Sequence, residues 1–128
     1  MSNKLKKRST PQKKAIEEVF NTISRPLNLE EVLAEGRKFV PSLNQATVYR
    51  NLNNLVKNGW LNKIHMSPAG TLFEKSDKGH HHHFHCRVCQ KSFEILQCAL
   101  DYEKQLAPDG FVVESHELFF YGVCADCA

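Results

Sequence analysis

Cysteine and histidine, the side chains that bind zinc and related metals, are concentrated in the second half of this chain. All seven histidines and all five cysteines lie after residue 64. Most of them form one run, residues 80–89 with the sequence HHHHFHCRVC, and a second cysteine pair follows at Cys124 and Cys127. This clustering predicts metal chemistry in the second half.

Two CxxC pairs, Cys86/Cys89 and Cys124/Cys127, are separated by 34 residues. Each pair lets two thiolates reach one ion at ~2.3 Å, and two pairs complete a closed, tetrahedral four-thiolate zinc site. A thioredoxin-like redox pair and unrelated cysteines are the alternatives. Cys98 is left over, and we expect it to serve as a small buried hydrophobe.

The histidine run is informative when it is read as a β-strand, in which alternate side chains point to opposite faces. His80 and His82 then share one face, and His81 and His83 share the other with His85. One strand can thus supply two ligands to each of two metal sites. An affinity tag and a solvated polar tract are the alternatives, but a tag would lie at a terminus, whereas this run is interior. Residues in neighbouring elements that could complete either set are Glu74, Glu94, Asp101, Glu103 and His116.

Positive charge is concentrated in the first half of the chain, whereas the metal-binding residue types are concentrated in the second half. Residues 1–64 carry twelve Lys/Arg against five Glu, a balance of +7, whereas residues 65–128 carry five against nine, a balance of −4. A basic half suits a polyanion such as DNA, because Lys and Arg displace condensed counterions. A solvated charged surface is the alternative.

The first half shows the pattern of a winged helix-turn-helix, whose third helix enters the DNA major groove. The predicted elements are helices over 13–23, from Asn28 and from Asn44 or Gln45 to Asn58, then strands over 60–66 and 71–74. Side chains of the third helix can meet phosphates or base edges. The predicted DNA-contacting residues are Lys14, Thr47, Tyr49, Arg50 and Asn53. A three-helix module that binds protein is the alternative.

The second half is predicted to be β-rich. Its predicted elements are strands over 80–86 and 91–96, a helix over 99–106, and a strand region over 111–123 that is long enough to pair across a dimer axis. The predicted fold class is α+β, with an N-terminal winged helix-turn-helix followed by a small α/β dimerisation domain. The predicted domains are residues 1–75 and 80–128, joined by a hinge at 76–79.

Several motifs together resemble the ferric uptake regulator (Fur) family. They are Ala46–Leu52 (ATVYRNL), Phe73-Glu74, the HHHHFHCxxC run, Gly110-Phe111, Ser115-His116 and Tyr121–Cys127 (YGVCADC). The match runs along nearly the whole chain in order. The resemblance implies a homodimeric bacterial repressor with an N-terminal winged helix and a C-terminal metal-binding dimerisation domain. Family members sense iron, zinc, manganese, nickel or peroxide.

The resemblance also implies three metal sites. The structural zinc site takes Cys86, Cys89, Cys124 and Cys127. The regulatory site at the hinge takes His81, His83, Glu74 and Glu94. A further site in the dimerisation domain takes His80, His82, Asp101 and His116.

This chain departs from the family pattern at one position. The regulatory site of the family usually includes a histidine near the start of the second helix, where this chain has Pro26. His65 is the only other histidine that could replace it. Otherwise, metal-dependent regulation would rely mainly on the site that contains Asp101 and His116. Peroxide sensors of the family use aspartates where this chain has Glu74 and Glu94, which makes peroxide sensing a weaker alternative.

The sequence thus predicts a homodimeric, metal-dependent repressor that binds a double-stranded DNA operator and is not an enzyme. It holds structural Zn²⁺ and a regulatory Fe²⁺, Zn²⁺ or Mn²⁺, and histidine and carboxylate ligands without a regulatory cysteine favour Fe²⁺. No signal peptide or membrane span is expected, which predicts a cytoplasmic protein. Two other classes stay open. The first is a hydrolytic zinc enzyme such as a deaminase, although no proline precedes Cys86 or Cys124 as the deaminase signature requires. The second is a metal-storage or delivery protein that does not bind DNA.

Overall fold

The computed structural model describes residues 10–98 and 107–128. Within these ranges the chain forms three helices and two small sheets, and it divides into two compact units between Asp77 and Lys78. The predicted helix over 99–106, with Asp101 and Glu103, lies outside the described residues. Of the described helices, none is long and apolar enough to cross a membrane.

The helices of the first unit begin where the sequence supplies capping side chains. They are α1 (Pro11–Thr22), α2 (Leu29–Gly36) and α3 (Gln45–Lys57). Before α2, the side chains of Asn28 and Glu31 each accept a hydrogen bond from the other's backbone N–H, which is a capping box. Before α3, Asn44 Oδ1 accepts from the Thr47 N–H at 2.9 Å. These caps satisfy N–H groups that the first turn of a helix leaves without a partner.

A hairpin follows α3 and supplies the wing. Strands β1 (Leu61–Met66) and β2 (Gly70–Lys75) pair antiparallel, with Leu61 opposite Lys75 and Met66 opposite Gly70. Gly59 ends α3 with φ +84°, a conformation that favours glycine. The segment before α2 also joins the hairpin, because Leu27 and Phe73 exchange two backbone hydrogen bonds of 2.9 and 2.8 Å.

The core of the first unit is built from the apolar faces of all three helices together with the wing. Burying these side chains removes apolar surface from water, which stabilises the folded state by roughly 25 cal/mol per Å² of buried area. Its buried members are Ile16, Val19, Phe20, Leu27, Val32, Leu43, Val48, Leu52, Leu55, Leu61 and Phe73. The predicted winged helix-turn-helix is therefore confirmed.

The second unit contains a three-stranded sheet in the order β4-β3-β5. The strands are β3 (His82–Cys86), β4 (Ser92–Ile95) and β5 (Phe119–Gly122). β3 pairs antiparallel with β4 and parallel with β5. The predicted α+β class is confirmed, because helices and a hairpin in the first unit are followed by a mixed sheet in the second.

The prediction of a long strand over 111–123 was wrong. Only Phe119–Gly122 is a strand, and it pairs with β3 of the same chain. The polar residues 114–117 interrupt the apolar pattern, and two of the three apolar residues before them lie on the surface. Phe111 is 69% exposed and Val112 is 84% exposed. Apolar content over 111–123 predicted a strand without showing where its pairing would begin.

Candidate metal centres and nucleic-acid surface

Parallel pairing of β3 with β5 brings the two cysteine pairs together. Cys86 at the end of β3 lies opposite Gly122 at the end of β5. The Arg87 N–H donates to the Gly122 carbonyl at 2.8 Å, which extends the pairing by one step. Because parallel strands leave a sheet at the same edge, the turns that carry Cys89 and Cys124 emerge side by side.

The four sulfurs of this cluster have the spacing of a zinc site. The Sγ atoms of Cys86, Cys89, Cys124 and Cys127 all lie within 4.8 Å of one another. Those of Cys89 and Cys124 are 3.9 Å apart. Four bonds of ~2.3 Å in a tetrahedron place the sulfurs ~3.8 Å apart. The N–H groups of Cys89 and Cys124 also point at Cys86 Sγ, at 3.5 and 3.3 Å. The residues present therefore fit a structural zinc ion.

The thiols of the cluster differ in acidity. Hydrogen bonds from backbone N–H groups, with that of Cys89 first, outweigh the effect of burial and lower the pKa of Cys86 to about 6. A side-chain hydrogen bond with Cys124, followed by burial and the neighbouring sulfurs, raises the pKa of Cys127 to about 12. Four adjacent thiolates repel one another, so the complete set needs a cation at its centre.

A second cluster gathers the even-numbered histidines. The rings of His80 and His82 lie with centroids 4.7 Å apart, in T-shaped contact. His116 Nε2 is 3.2 Å from the Nε2 atoms of both. His82 is 2% exposed, and its pKa is lowered, first by burial and then by the neighbouring histidines. A lowered pKa keeps the ring neutral, which is the form that binds a metal.

Cys98 joins this second cluster, so its prediction as a small buried hydrophobe was wrong. Its Sγ is 3.2 Å from His82 Nε2 and 3.3 Å from His116 Nε2. The antiparallel register explains the approach, since His82 lies opposite Ile95 and Cys98 follows three residues later. The sequence signal for this contact was an unpaired cysteine downstream of the histidine run. Its meaning could not be recognised without the register of β3 and β4.

The odd-numbered histidines lie on the other face, together with one predicted carboxylate. His83 lies opposite Glu94 across β3 and β4, and the rings of His81 and His83 are 4.8 Å apart. His81 Nδ1 is 2.8 Å from the Gly79 carbonyl, which makes Nδ1 the donor and places the ring's lone pair at Nε2. Lys78 Nζ forms a 2.5 Å ion pair with Glu94. Alternation thus holds, although β3 begins at His82 rather than at the predicted residue 80.

The remaining member of the predicted regulatory set, Glu74, belongs to the first unit. It is buried in β2 opposite Asn62. His65 lies opposite Thr71, and its Nδ1 is 3.0 Å from Thr71 Oγ1. Thr71, the partner of His65, lies three residues before Glu74 in β2. His65 therefore lies on the opposite face of the hairpin from Glu74 and ~10 Å away along the strand. The hypothesis that His65 replaces the histidine missing at Pro26 is therefore wrong for any site that uses Glu74.

His85 has a structural role. It is buried, with Nδ1 3.0 Å from Ser92 Oγ and Nε2 3.1 Å from Gln90 Oε1. Both ring nitrogens thus have hydrogen-bond partners, as a buried imidazole requires. These partners hold the turn between β3 and β4 beside the four cysteines.

The predicted DNA-contacting side chains lie mainly on the solvent face of α3. Tyr49 is 55% exposed, Arg50 is exposed, and Thr47 and Asn53 are half-buried. Arg50 Nη2 is 3.4 Å from Thr47 Oγ1, so the two groups form one polar patch on the first turns. Lys14 is exposed on α1. The inner face of α3 packs into the core, which leaves this polar face available for a partner.

Comparison with known proteins identifies this arrangement. The model of the ferric uptake regulator family matches residues 4–121. This chain belongs to the ferric uptake regulator family. The family resemblance inferred from the sequence motifs is thereby confirmed.

Individual members show how far the similarity extends. The chain is 34% identical over 102 residues to the ferric uptake regulation protein of Campylobacter jejuni, covering 77% of this chain and 65% of that protein. It thus spans just under two thirds of that relative's length. It is 34% identical over 124 residues to the peroxide operon regulator of Bacillus subtilis, covering 94% of this chain and 84% of that protein. A solved structure, the ferric uptake regulator of Vibrio cholerae, superposes with a TM-score of 0.73 at 26% identity, covering 91% and 92% of the two chains.

Proposed function

We propose that this protein is a metal-dependent transcriptional repressor that binds operator DNA as a homodimer. The observation that carries the proposal is the convergence of imidazole nitrogens in the second unit of a chain whose first unit is a winged helix. Family membership and the names of relatives that regulate ferric uptake and a peroxide operon support it. DNA contact is assigned to Lys14, Thr47, Tyr49, Arg50 and Asn53.

The four cysteines are assigned a structural zinc. A closed site with four protein ligands has no open position for substrate, so this ion would contribute folding free energy rather than catalysis. It would fasten the end of β5 to the end of β3, and so fix the sheet that carries the histidines.

The histidine clusters are assigned the regulatory metal. One set uses His80, His82 and His116, with Asp101 as the predicted carboxylate. The other uses His81, His83 and Glu94, to which the family resemblance adds Glu74. Metal shifts a conformational equilibrium only if it binds one state more tightly than the other. We propose that the metal-bound dimer is the state whose two α3 helices match successive major grooves, so that filling the sites represses transcription.

Iron(II) is the proposed signal at the set containing His81, His83 and Glu94, because nitrogen and carboxylate oxygen suit it. Zinc is the second candidate, and one observation favours it, namely the approach of Cys98 Sγ to His82 and His116. Glu94 occupies a position where an aspartate would be expected in a peroxide sensor, which places peroxide sensing third. A cytoplasmic location follows from the proposed role on DNA.

DNA binding titrated with metal tests the proposal. Full-length protein that retains its tightly bound zinc is incubated with fragments of its source genome, and retained fragments are labelled for anisotropy at fixed salt. Fe²⁺, Mn²⁺ and Zn²⁺ should each be titrated, and at least one should raise affinity by about 5- to 150-fold, the range of typical allosteric coupling. Equal affinity with and without every metal would overturn the switch. Retention of no fragment would instead favour metal storage.

A further inference from the structure

We propose that Cys98 is a metal ligand, and that it completes a three-histidine, one-cysteine site with His80, His82 and His116 that selects a tetrahedral, zinc-like ion over iron(II). The inference rests on the proposed regulatory role of these histidines. It replaces the expectation that this site has a purely histidine and carboxylate ligand set.

The spacing of the four ligand atoms agrees with one shared ion. All four lie within 4.8 Å of one another. In a tetrahedron with bonds of ~2.0–2.1 Å to nitrogen and ~2.3 Å to sulfur, nitrogens lie ~3.3 Å apart and a nitrogen lies ~3.6 Å from the sulfur. The distances from His116 Nε2 to His80 Nε2 and to Cys98 Sγ are 3.2 and 3.3 Å.

Hydrogen bonds among these four side chains cannot satisfy every contact made by His116 Nε2 at once. His116 Nε2 faces three atoms at 3.2–3.3 Å: the Nε2 atoms of His80 and His82, and Cys98 Sγ. One ring nitrogen of a neutral imidazole is either a donor or an acceptor, so it cannot satisfy three such neighbours at once. A single cation satisfies all of the lone pairs together. His82 is only 2% exposed, so an ion at this site would lie beside a buried ligand.

The choice of ion follows from the sulfur. Thiolate is a soft ligand that favours zinc and its tetrahedral analogues, whereas iron(II) and manganese(II) are better served by nitrogen and oxygen. With three imidazoles and one thiolate within reach, a four-coordinate ion needs no carboxylate. Cys98 thus takes the place that the family resemblance gives to Asp101.

Cobalt(II) is the probe, because it substitutes for zinc and reports sulfur ligation by thiolate-to-metal charge transfer. Full-length protein with its four-cysteine zinc in place is titrated with Co²⁺. We expect one exchangeable equivalent with tetrahedral ligand-field bands and near-ultraviolet charge transfer from one thiolate. A second equivalent without charge transfer is compatible with the histidine/carboxylate set. If no cobalt species beyond the structural site shows charge transfer, the proposal is overturned.

Two variants assign the sulfur. Cys98→Ser should abolish the charge-transfer band and weaken zinc binding at this site by more than about tenfold, since loss of even a second-shell partner costs about 10- to 100-fold. Asp101→Asn should keep the band. The reverse result, with the band lost only in D101N, would overturn the assignment. Retention of one non-exchanging zinc shows that each variant is folded.

DNA anisotropy on the same samples separates this inference from the proposed function. Charge transfer that depends on Cys98, in a protein whose DNA affinity ignores metal, would support the ligand and overturn the repressor. Metal-dependent DNA binding with no sulfur ligation beyond the structural zinc would support the repressor and overturn Cys98 as a ligand. Cys98→Asp provides a further check, because an oxygen ligand should shift preference from zinc toward manganese(II).

Discussion

At the residue scale, similar side chains in the second unit have different roles because of their partners. His85 is buried between Ser92 and Gln90, whereas His82 faces two imidazoles and a thiol. Residue type predicted metal binding for the run as a whole. Hydrogen-bond partners distinguish the structural histidine from those assigned to metal.

The four-cysteine site gives the most direct prediction at this scale. Cys124→Ser should lose the tightly bound zinc and unfold the second unit, because structural zinc contributes on the order of 10 kcal/mol in small zinc domains. Metal analysis and limited proteolysis of the purified protein measure both effects. Cys98→Ser is the matched control and should keep this zinc. A C124S protein that retains stoichiometric zinc would contradict the four-thiolate assignment.

The ion pair between Lys78 and Glu94 leads to a second prediction. A metal that binds Glu94 must displace the ammonium group, so Lys78→Met should tighten metal binding at this carboxylate by about 1.5- to 5-fold, which corresponds to the ~0.2–1 kcal/mol of typical ion pairs near a protein surface. Isothermal titration with Mn²⁺ measures the change. Lys75→Met, which removes a lysine paired with Asp77 at 3.8 Å, is the control. Unchanged or weaker binding in K78M would remove Glu94 from the proposed ligands.

Arg50 tests the assigned DNA surface. Arg50→Ala removes an exposed guanidinium from the polar face of α3 and should weaken specific binding by about 1–3 kcal/mol. Lys38→Ala makes the same change in charge at a lysine paired with Glu35 outside α3, and should have a smaller effect. Anisotropy against one retained genomic fragment compares them. Equal losses would indicate a general charge effect.

At the scale of elements, the start of α3 depends on the N-terminal cap formed by Asn44. Asn44→Ala removes the bond to the Thr47 N–H and should lower the free energy of unfolding by about 1 kcal/mol. Thermal denaturation of the zinc-bound protein measures it. Asn54→Ala, at an exposed position within α3, is the control and should be neutral or slightly stabilising, since alanine has the higher helix propensity. A larger loss in N54A than in N44A would contradict the role of the cap.

The strands show what local patterns leave open. Alternation along 80–86 separated the histidines correctly, because side-chain direction in extended chain depends only on parity. The pairing partner of β5 depended on strand order instead. Parallel pairing with β3 required a long connection, which no local pattern specifies.

At the scale of the whole molecule, the basic residues and the metal ligands are separated along the chain. Residues 1–64 carry a balance of +7 and residues 65–128 a balance of −4. DNA binding should therefore fall steeply with salt, by about 10³- to 10⁵-fold between 50 and 200 mM if 6–10 phosphates are contacted. Anisotropy across that range at saturating metal measures the slope. A slope near zero would contradict phosphate contact by the basic half.

The sequence by itself determined the family, the winged helix and the sorting of histidines by parity. Sequence motifs, apolar periodicity and alternation are local properties, so they can be recognised without knowing the fold. Tertiary structure decided the rest. Only the β3–β5 pairing placed Cys86 beside Cys124, and only the β3–β4 register brought Cys98 to His82. Contacts between residues distant in sequence depend on strand order and register, which a single sequence does not encode locally.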